Sequence, residues 1–74
     1  MEPLLLDVRG LEPPEPLERA LEALDALQPA QRMHMKIHRT PHMLYPILER
    51  EGYAHETHCT AQGDIEVLIW RMGP

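Results

Sequence analysis

The chain has no phenylalanine, one cysteine and only four glycines among its 74 residues. The single cysteine, Cys59, excludes an internal disulfide and a thiolate cluster, which fits a reducing compartment. Because glycines are so few, there is no glycine-rich loop to hold a phosphate. A chain this short has room for one domain with a modest core. The sequence therefore predicts a single domain over residues 1–74, with an ordered core over about 4–71.

Positive charge is also scarce, because seven Lys and Arg residues stand against twelve Asp and Glu residues and the formal net charge is -5. Such a chain repels a phosphate backbone, so we expect no nucleic-acid partner. No apolar run approaches the roughly 18 residues that a membrane span needs. Acidic Glu2 directly after Met1 is unlike the basic start of a secretory signal. We expect a cytoplasmic protein that does not enter a membrane.

The hydrophobic residues that are present fall into two periodicities. From Glu15 to Leu27 they recur at helical spacing, with charged residues on the other side. Met33, Met35 and Ile37 alternate with polar residues, as in a strand that is covered on one face only. The same reasoning predicts the other elements: strand Leu4–Arg9, a second helix from Pro41 to Gly52 with Thr40 as N-cap and Pro46 limiting or bending it, and a hairpin of strands Tyr53–Thr60 and Ile65–Arg71.

The order strand, helix, strand, helix, strand, strand predicts an α/β (α+β) two-layer sandwich. Right-handed crossovers place both helices on one face of a mixed four-stranded sheet. In the last strand Ile65, Val67 and Ile69 then face the helices. Leu68 and Trp70 are left on the open face, where they form a candidate surface for a partner or a homodimer. The alternative is that Trp70 lies flat over its neighbours on an ordinary surface.

Two stretches carry a family resemblance. The run from Leu6 to Pro16 resembles the TusA/SirA family of sulfur carriers, whose members have Cys-Pro-x-Pro before the first helix. Pro14-Glu15-Pro16 matches the Pro-x-Pro, but Pro13 stands in the place of the cysteine. The resemblance implies the TusA-like fold, while the missing thiol implies that the sulfurtransferase activity is absent.

A second resemblance is to an uncharacterised bacterial family related to TusA, the domain-of-unknown-function family numbered 2249. It rests on Glu12 to Leu17, on His38 to His42, and on Leu44-Tyr45-Pro46. Because these segments surround the starts of both helices, the resemblance directs attention to the same end of the domain as the sulfur-carrier motif.

In open α/β sheets, ligands bind at the carboxyl ends of parallel strands, beside helix N-termini. We therefore predict a binding rim for a protein partner or a small anionic ligand, formed by Arg9, Glu12, Glu15, His38, Arg39, Thr40, His42 and Tyr45. The alternative is that Arg9 and Arg39 pair with Asp7, Glu12 or Glu15 on the surface. No catalytic Ser-His-Asp or Cys-His order is present, so we expect a binding module that is not an enzyme and has no cofactor.

Five histidines leave two alternative functions open. His38 and His42, with Glu12 as a third ligand, are the local combination with the reach to hold a transition-metal ion, which would make the protein a metal or redox accessory protein. His34 and His38 are too far apart along a strand, and His55 and His58 face opposite sides. The second alternative is sulfur transfer through Cys59, although we expect that residue to be a half-buried apolar side chain.

Overall fold

The computed structural model describes residues 1–73 and has the expected order of elements. They are β1 (Leu4–Asp7), α1 (Glu15–Ala26), β2 (Arg32–Ile37), α2 (Leu44–Arg50), β3 (Tyr53–Cys59) and β4 (Ile65–Arg71). Apart from the start of α2, the bounds differ from the predicted ones by no more than one or two residues. Pro74 of the predicted domain lies outside the described residues.

The four strands form one mixed sheet in the order β1-β2-β4-β3. β1 and β2 are parallel, with Leu4 opposite Met33 and Asp7 opposite Lys36. β4 runs antiparallel to both of its neighbours, β2 and β3. Because β1 and β2 are parallel, their carboxyl ends lie at the same edge of the sheet, as the sequence predicts.

Both helices cover one face of this sheet. The side chains of Met33, Met35 and Ile37 on β2 and of Val67 and Ile69 on β4 are buried on that face, as the alternation predicts. The helices contribute a complementary set to the same core: Ala20, Leu24, Leu44 and Leu48. Removing this apolar surface from water is the main stabilising contribution to so small a domain. The two-layer sandwich is confirmed.

The second helix begins later than predicted. Thr40 was expected to cap a helix starting at Pro41, but α2 starts at Leu44 after Met43, whose side chain makes no capping hydrogen bond. Pro46 explains the shift, because proline has no N–H and clashes with the preceding turn in a helix interior. With Leu44 first, Pro46 is third and lies in the first turn, where backbone N–H groups have no partner within the helix. The helix ends before Gly52, whose positive φ of 84° suits glycine.

The hairpin between β3 and β4 is confirmed. The N–H of Thr60 donates to the carbonyl of Asp64 at 2.8 Å, and the N–H of Asp64 donates to Oγ1 of Thr60 at 3.0 Å. The turn therefore ends β3 and starts β4 at the same edge of the sheet as the carboxyl end of β2, since Ile65 pairs with Ile37.

The open face of the sheet carries the residues proposed as an interface. Leu68 and Trp70 are half-buried there, and the guanidinium of Arg32 lies 4.6 Å from the centre of the Trp70 ring. Trp70 is therefore partly covered by its own chain. Within residues 1–73, neither helix is long and apolar enough to cross a membrane.

Candidate functional site

A groove opens at the sheet edge where β1 and β2 end. One wall comes from the segment leading into α1, with Leu11, Pro13, Pro14, Pro16 and Leu17, and the other comes from the segment before α2, with Pro41, Met43 and Leu44. Met35, Ile37 and Ala20 form its base, and the cavity measures about 260 Å³. We call this the proline groove. Four of its residues are prolines, whose fixed φ angle makes both walls stiff.

The burial of the lining residues gives the groove a packed base and an open mouth. Met35 and Ile37 are only 1% and 5% exposed, so the base belongs to the domain core. Met43 is 75% exposed, which makes it the large apolar side chain at the mouth. Met has three rotatable side-chain bonds and adapts to irregular contacts. A ligand in the groove would therefore meet a rigid base and a movable Met43.

Three consecutive polar residues at the end of β2 line the same groove: His38, Arg39 and Thr40. Nδ1 of His38 accepts a hydrogen bond from the N–H of Gly10 at 3.3 Å. A neutral imidazole that accepts at Nδ1 carries its proton on Nε2, so the other ring nitrogen is a donor. These three members of the predicted rim do come together.

Arg9, in contrast, does not line the groove and forms ion pairs with Asp7 and Asp64. Its guanidinium bonds both carboxylate oxygens of Asp7, at 2.9 Å and 2.7 Å, and reaches Asp64 in the β3–β4 turn at 3.1 Å. The side-chain hydrogen bond from Arg9 lowers the pKa of Asp7 to about 2, helped by the hydrogen bond from the Arg9 backbone N–H. The same bonds raise the pKa of Arg9 further above its ordinary value. The surface pairing of Arg9 with Asp7, which the sequence left as an alternative, is confirmed.

Glu12 and Glu15 lie in an acidic depression on the outer side of α1, with Glu18 and Glu22 around Arg19, and this depression shares Pro13 and Pro14 with the proline groove. Arg19 pairs with Glu15 at 3.4 Å and with Glu22 at 3.9 Å. Within residues 1–73, no three His, Cys, Asp or Glu side chains are grouped so that they could hold a metal ion. Glu12, His38 and His42 are thus not assembled as a ligand set.

His42 and Tyr45, the remaining rim residues, belong to an aromatic cluster between α2 and β3. The Tyr45 ring stacks on His55 with 4.7 Å between ring centres, and its hydroxyl lies 2.6 Å from Oγ1 of Thr57. His42 meets Tyr45 edge to face at 6.5 Å. His55 also approaches Glu49 at 3.4 Å. The eight residues of the predicted rim thus divide among the groove, the Arg9 network, the acidic depression and this cluster.

Cys59 was expected to be half-buried and is exposed instead. It is the last residue of β3, an edge strand, and the strand offers it no covering element at that end. His58 beside it faces the other side of the sheet and lies 3.2 Å from Glu56. The thiol is separated from the strands that end at the proline groove by the whole width of β4.

The apolar part of the groove was not predicted from the sequence. Pro13, Pro14 and Pro16 were compared only with the sulfur-carrier motif, and Leu11 and Met43 were given no role in a site. One signal was available, because apolar residues in loops that belong to no predicted element are candidates for a surface site.

Comparison with known proteins now places the chain. Residues 5–71 match the family described as "Uncharacterized conserved protein (DUF2249)". The chain belongs to the DUF2249 family. Among solved structures it is similar to the crystal structure of a SirA-like protein from Desulfitobacterium hafniense, with 28% sequence identity and a TM-score of 0.77. That match covers 93% of this chain and 95% of the other. No curated protein matches the chain.

Both resemblances noted from the sequence are therefore confirmed. The chain is a DUF2249 protein, and it has the SirA-like fold. The motif segment that distinguishes it from the sulfur carriers lies on the wall of the proline groove, where Pro13 replaces the cysteine of Cys-Pro-x-Pro. What this DUF2249 protein retains at that position is a stiff apolar surface, with no nucleophilic atom.

Proposed function

We propose that this DUF2249 chain is a small cytosolic binding module that takes its partner or ligand in the proline groove and carries out no sulfur transfer itself. The observation that supports this best is the groove's construction. Binding sites are typically preformed concavities with mostly apolar walls and a few polar groups that fix orientation. The proline groove has stiff apolar walls, and His38, Arg39 and Thr40 line the same cavity.

The absence of catalysis is proposed from the residues at the motif. A persulfide carrier needs a thiolate as its nucleophile. Pro13 has none, and Cys59 lies on the far edge strand beyond β4. The fold that positions a reactive cysteine in the sulfur carriers would here position a recognition surface.

The methionines allow a direct test. Five methionine methyl groups report on different parts of the molecule, with Met35 at the base of the groove and Met43 at its mouth. Methyl-labelled protein is titrated with the low-mass fraction and with the macromolecular fraction of a bacterial extract. We expect one fraction to shift the Met35 and Met43 signals selectively.

A matched pair of variants provides the control. Met43→Glu places a charge at the mouth of the groove, and Leu5→Glu makes the same change at a residue equally exposed, at 73%, on the opposite face of the sheet. Met43→Glu should abolish the shift of Met35 and Leu5→Glu should leave it intact. If neither fraction perturbs Met35 and Met43, or if Leu5→Glu alone removes binding, the proposed function is wrong.

A further inference from the structure

Arg39 differs from the other cationic side chains of this chain. Three of the other six Lys and Arg residues form ion pairs, two lie over aromatic rings, and Lys36 stands between Asp7 and Glu66 on the neighbouring strands. Within residues 1–73, Arg39 has neither an ion pair nor an aromatic contact. Its charge is thus available to a ligand in the proline groove, which Arg39 lines.

The residues that line the groove include no acidic side chain, although the chain as a whole has a net negative charge, with acidic residues outnumbering basic ones twelve to seven. Next to Arg39, His38 has a donor at Nε2 and Thr40 has a hydroxyl group. The planar guanidinium of Arg39 suits a carboxylate, whose two oxygens accept several hydrogen bonds, and the residues on either side of Arg39 in the sequence, His38 and Thr40, carry further polar groups.

The size of the groove favours a small molecule over a protein surface. A stable protein interface covers about 800 Å² on each partner. The groove measures about 260 Å³, and Met43 is the one large exposed apolar residue at its mouth. The other large exposed apolar residues lie elsewhere in the described part of the chain. Leu5 is on the open face of the sheet. Met1 precedes β1 and Met72 follows β4, both at the edge of the sheet that is opposite to the groove. In the described part of the chain Met43 is thus the single large exposed apolar residue beside the groove, which favours a small molecule over a protein partner.

We infer that the ligand of the proline groove is a small monocarboxylate with a compact apolar body, held by its carboxylate at Arg39 and by its apolar part between Pro13, Pro16 and Met43. This inference rests on the proposed function and narrows it to one ligand class. Arg39 supplies the specificity for charge, and the apolar walls supply contact area without directional preference.

Hexanoate is the probe, with hexanol as its uncharged counterpart. Methyl-labelled protein is titrated with each at the same ionic strength while the five methionine signals are followed. We expect hexanoate to shift the Met43 and Met35 signals with a dissociation constant of about 1 mM, as fits a ligand of so few atoms. Hexanol should bind about tenfold more weakly or worse, because it cannot form the charge-assisted hydrogen bonds.

Two variants locate the carboxylate. Arg39→Gln should weaken hexanoate binding about tenfold and leave hexanol binding unchanged. Arg50→Gln removes the same charge from the last turn of α2, on a residue that pairs only with neighbouring Glu51, and should change neither. Both residues are exposed, so both variants are expected to fold.

The inference is overturned if hexanol binds as tightly as hexanoate, if Arg39→Gln and Arg50→Gln have equal effects, or if neither probe saturates. These results are distinguishable from failure of the proposed function. A macromolecular fraction that shifts Met35 and Met43 while hexanoate does not would leave the groove as a binding site and exclude the carboxylate. No response to either fraction or either probe would remove both.

Discussion

The phenol ring of Tyr45 lies against the imidazole of His55, with an interplanar angle of 25° and 4.7 Å between their centres. The contact joins α2 to β3, and the hydroxyl of Tyr45 adds a second link to Thr57 two residues along the same strand. α2 has only seven residues and depends on tertiary contacts for its stability, because short helices are marginal in isolation. Tyr45 therefore fixes the short helix whose preceding segment forms one wall of the proline groove.

Replacing Tyr45 with Phe should separate the two links. The stacking on His55 is kept, and the loss of the hydrogen bond to Thr57 should lower the free energy of unfolding by about 0.5–1.5 kcal/mol. Thr57→Val should have a similar effect. Urea denaturation of the two single variants and of the double variant tests this, since the double variant should lose less than the sum of the single losses. Simple additivity would show that the hydrogen bond contributes nothing to stability.

Leu48→Ala should bring the domain close to unfolding. Leu48 is completely buried between α2 and the sheet, and truncating such a residue typically costs about 2–5 kcal/mol. A small domain has a total stability of about 5 kcal/mol or somewhat more. Thermal unfolding followed by circular dichroism should show a large drop in midpoint. Leu5→Ala, at an exposed leucine, should stay within about 0.5 kcal/mol of the wild type; comparable losses at both sites would contradict the assignment of the core.

The pairing of Asp7 with Arg9 should give a stability contribution that disappears in acid. The pKa of Asp7 is lowered in the folded state, from its ordinary 3.8 to about 2, chiefly by the side-chain hydrogen bond from Arg9. A lowered folded-state pKa stabilises the protein fully above the unfolded-state value, and the contribution is lost as the pH falls toward 2. The stability difference between wild type and Asp7→Asn should therefore be constant above about pH 5 and shrink between about pH 4 and pH 2.

Urea unfolding at a series of pH values measures this difference, and an NMR titration of the Asp7 carboxyl carbon measures its pKa directly. Glu22→Gln is the comparison, because Glu22 lies 3.9 Å from Arg19 on an exposed face, where an ion pair contributes little to stability. A difference between wild type and Asp7→Asn that does not vary with pH would refute the role assigned to Arg9.

Sulfur transfer gives the clearest functional contrast with the sulfur carriers. When the protein is incubated with a cysteine desulfurase and cysteine, then alkylated and weighed by mass spectrometry, we expect no enzyme-dependent persulfide, because Pro13 offers no nucleophile. Cys59→Ser should give the same result as wild type. A persulfide that forms on the wild type and is absent from Cys59→Ser would establish Cys59 as a sulfur carrier and would contradict the non-catalytic assignment.

The fold was predictable because its signals are local. Met33, Met35 and Ile37 alternate with polar residues, so the buried face of β2 follows from the sequence alone. The start of α2 was wrong by three residues because Thr40 and Pro41 have the sequence of a helix start, and the local pattern was weighed above the effect of Pro46. Recognising that Pro46 has to lie in the first turn would have placed the helix correctly.

The site was only partly predictable because it depends on distant parts of the chain. Arg9 was assigned to the rim by its position after β1, but its partner Asp64 lies 55 residues further along the chain. His42 precedes the short helix α2 and Tyr45 is its second residue, but Tyr45 packs on His55 of β3, His42 packs on Tyr45, and neither residue lines the groove. Spacing along the sequence identifies which residues are near a strand end, and tertiary packing decides which of them share a surface.

The strand order β1-β2-β4-β3 has a consequence for biosynthesis. β4, the fourth strand to leave the ribosome, is hydrogen-bonded on both sides and joins the parallel pair to β3. Until it has been made, β3 has no neighbour in the sheet and the apolar face of β2 lacks the partners Val67 and Ile69. A chain that ends before residue 65 would leave β3 and one edge of β2 unpaired, and unpaired strand edges of this kind promote aggregation.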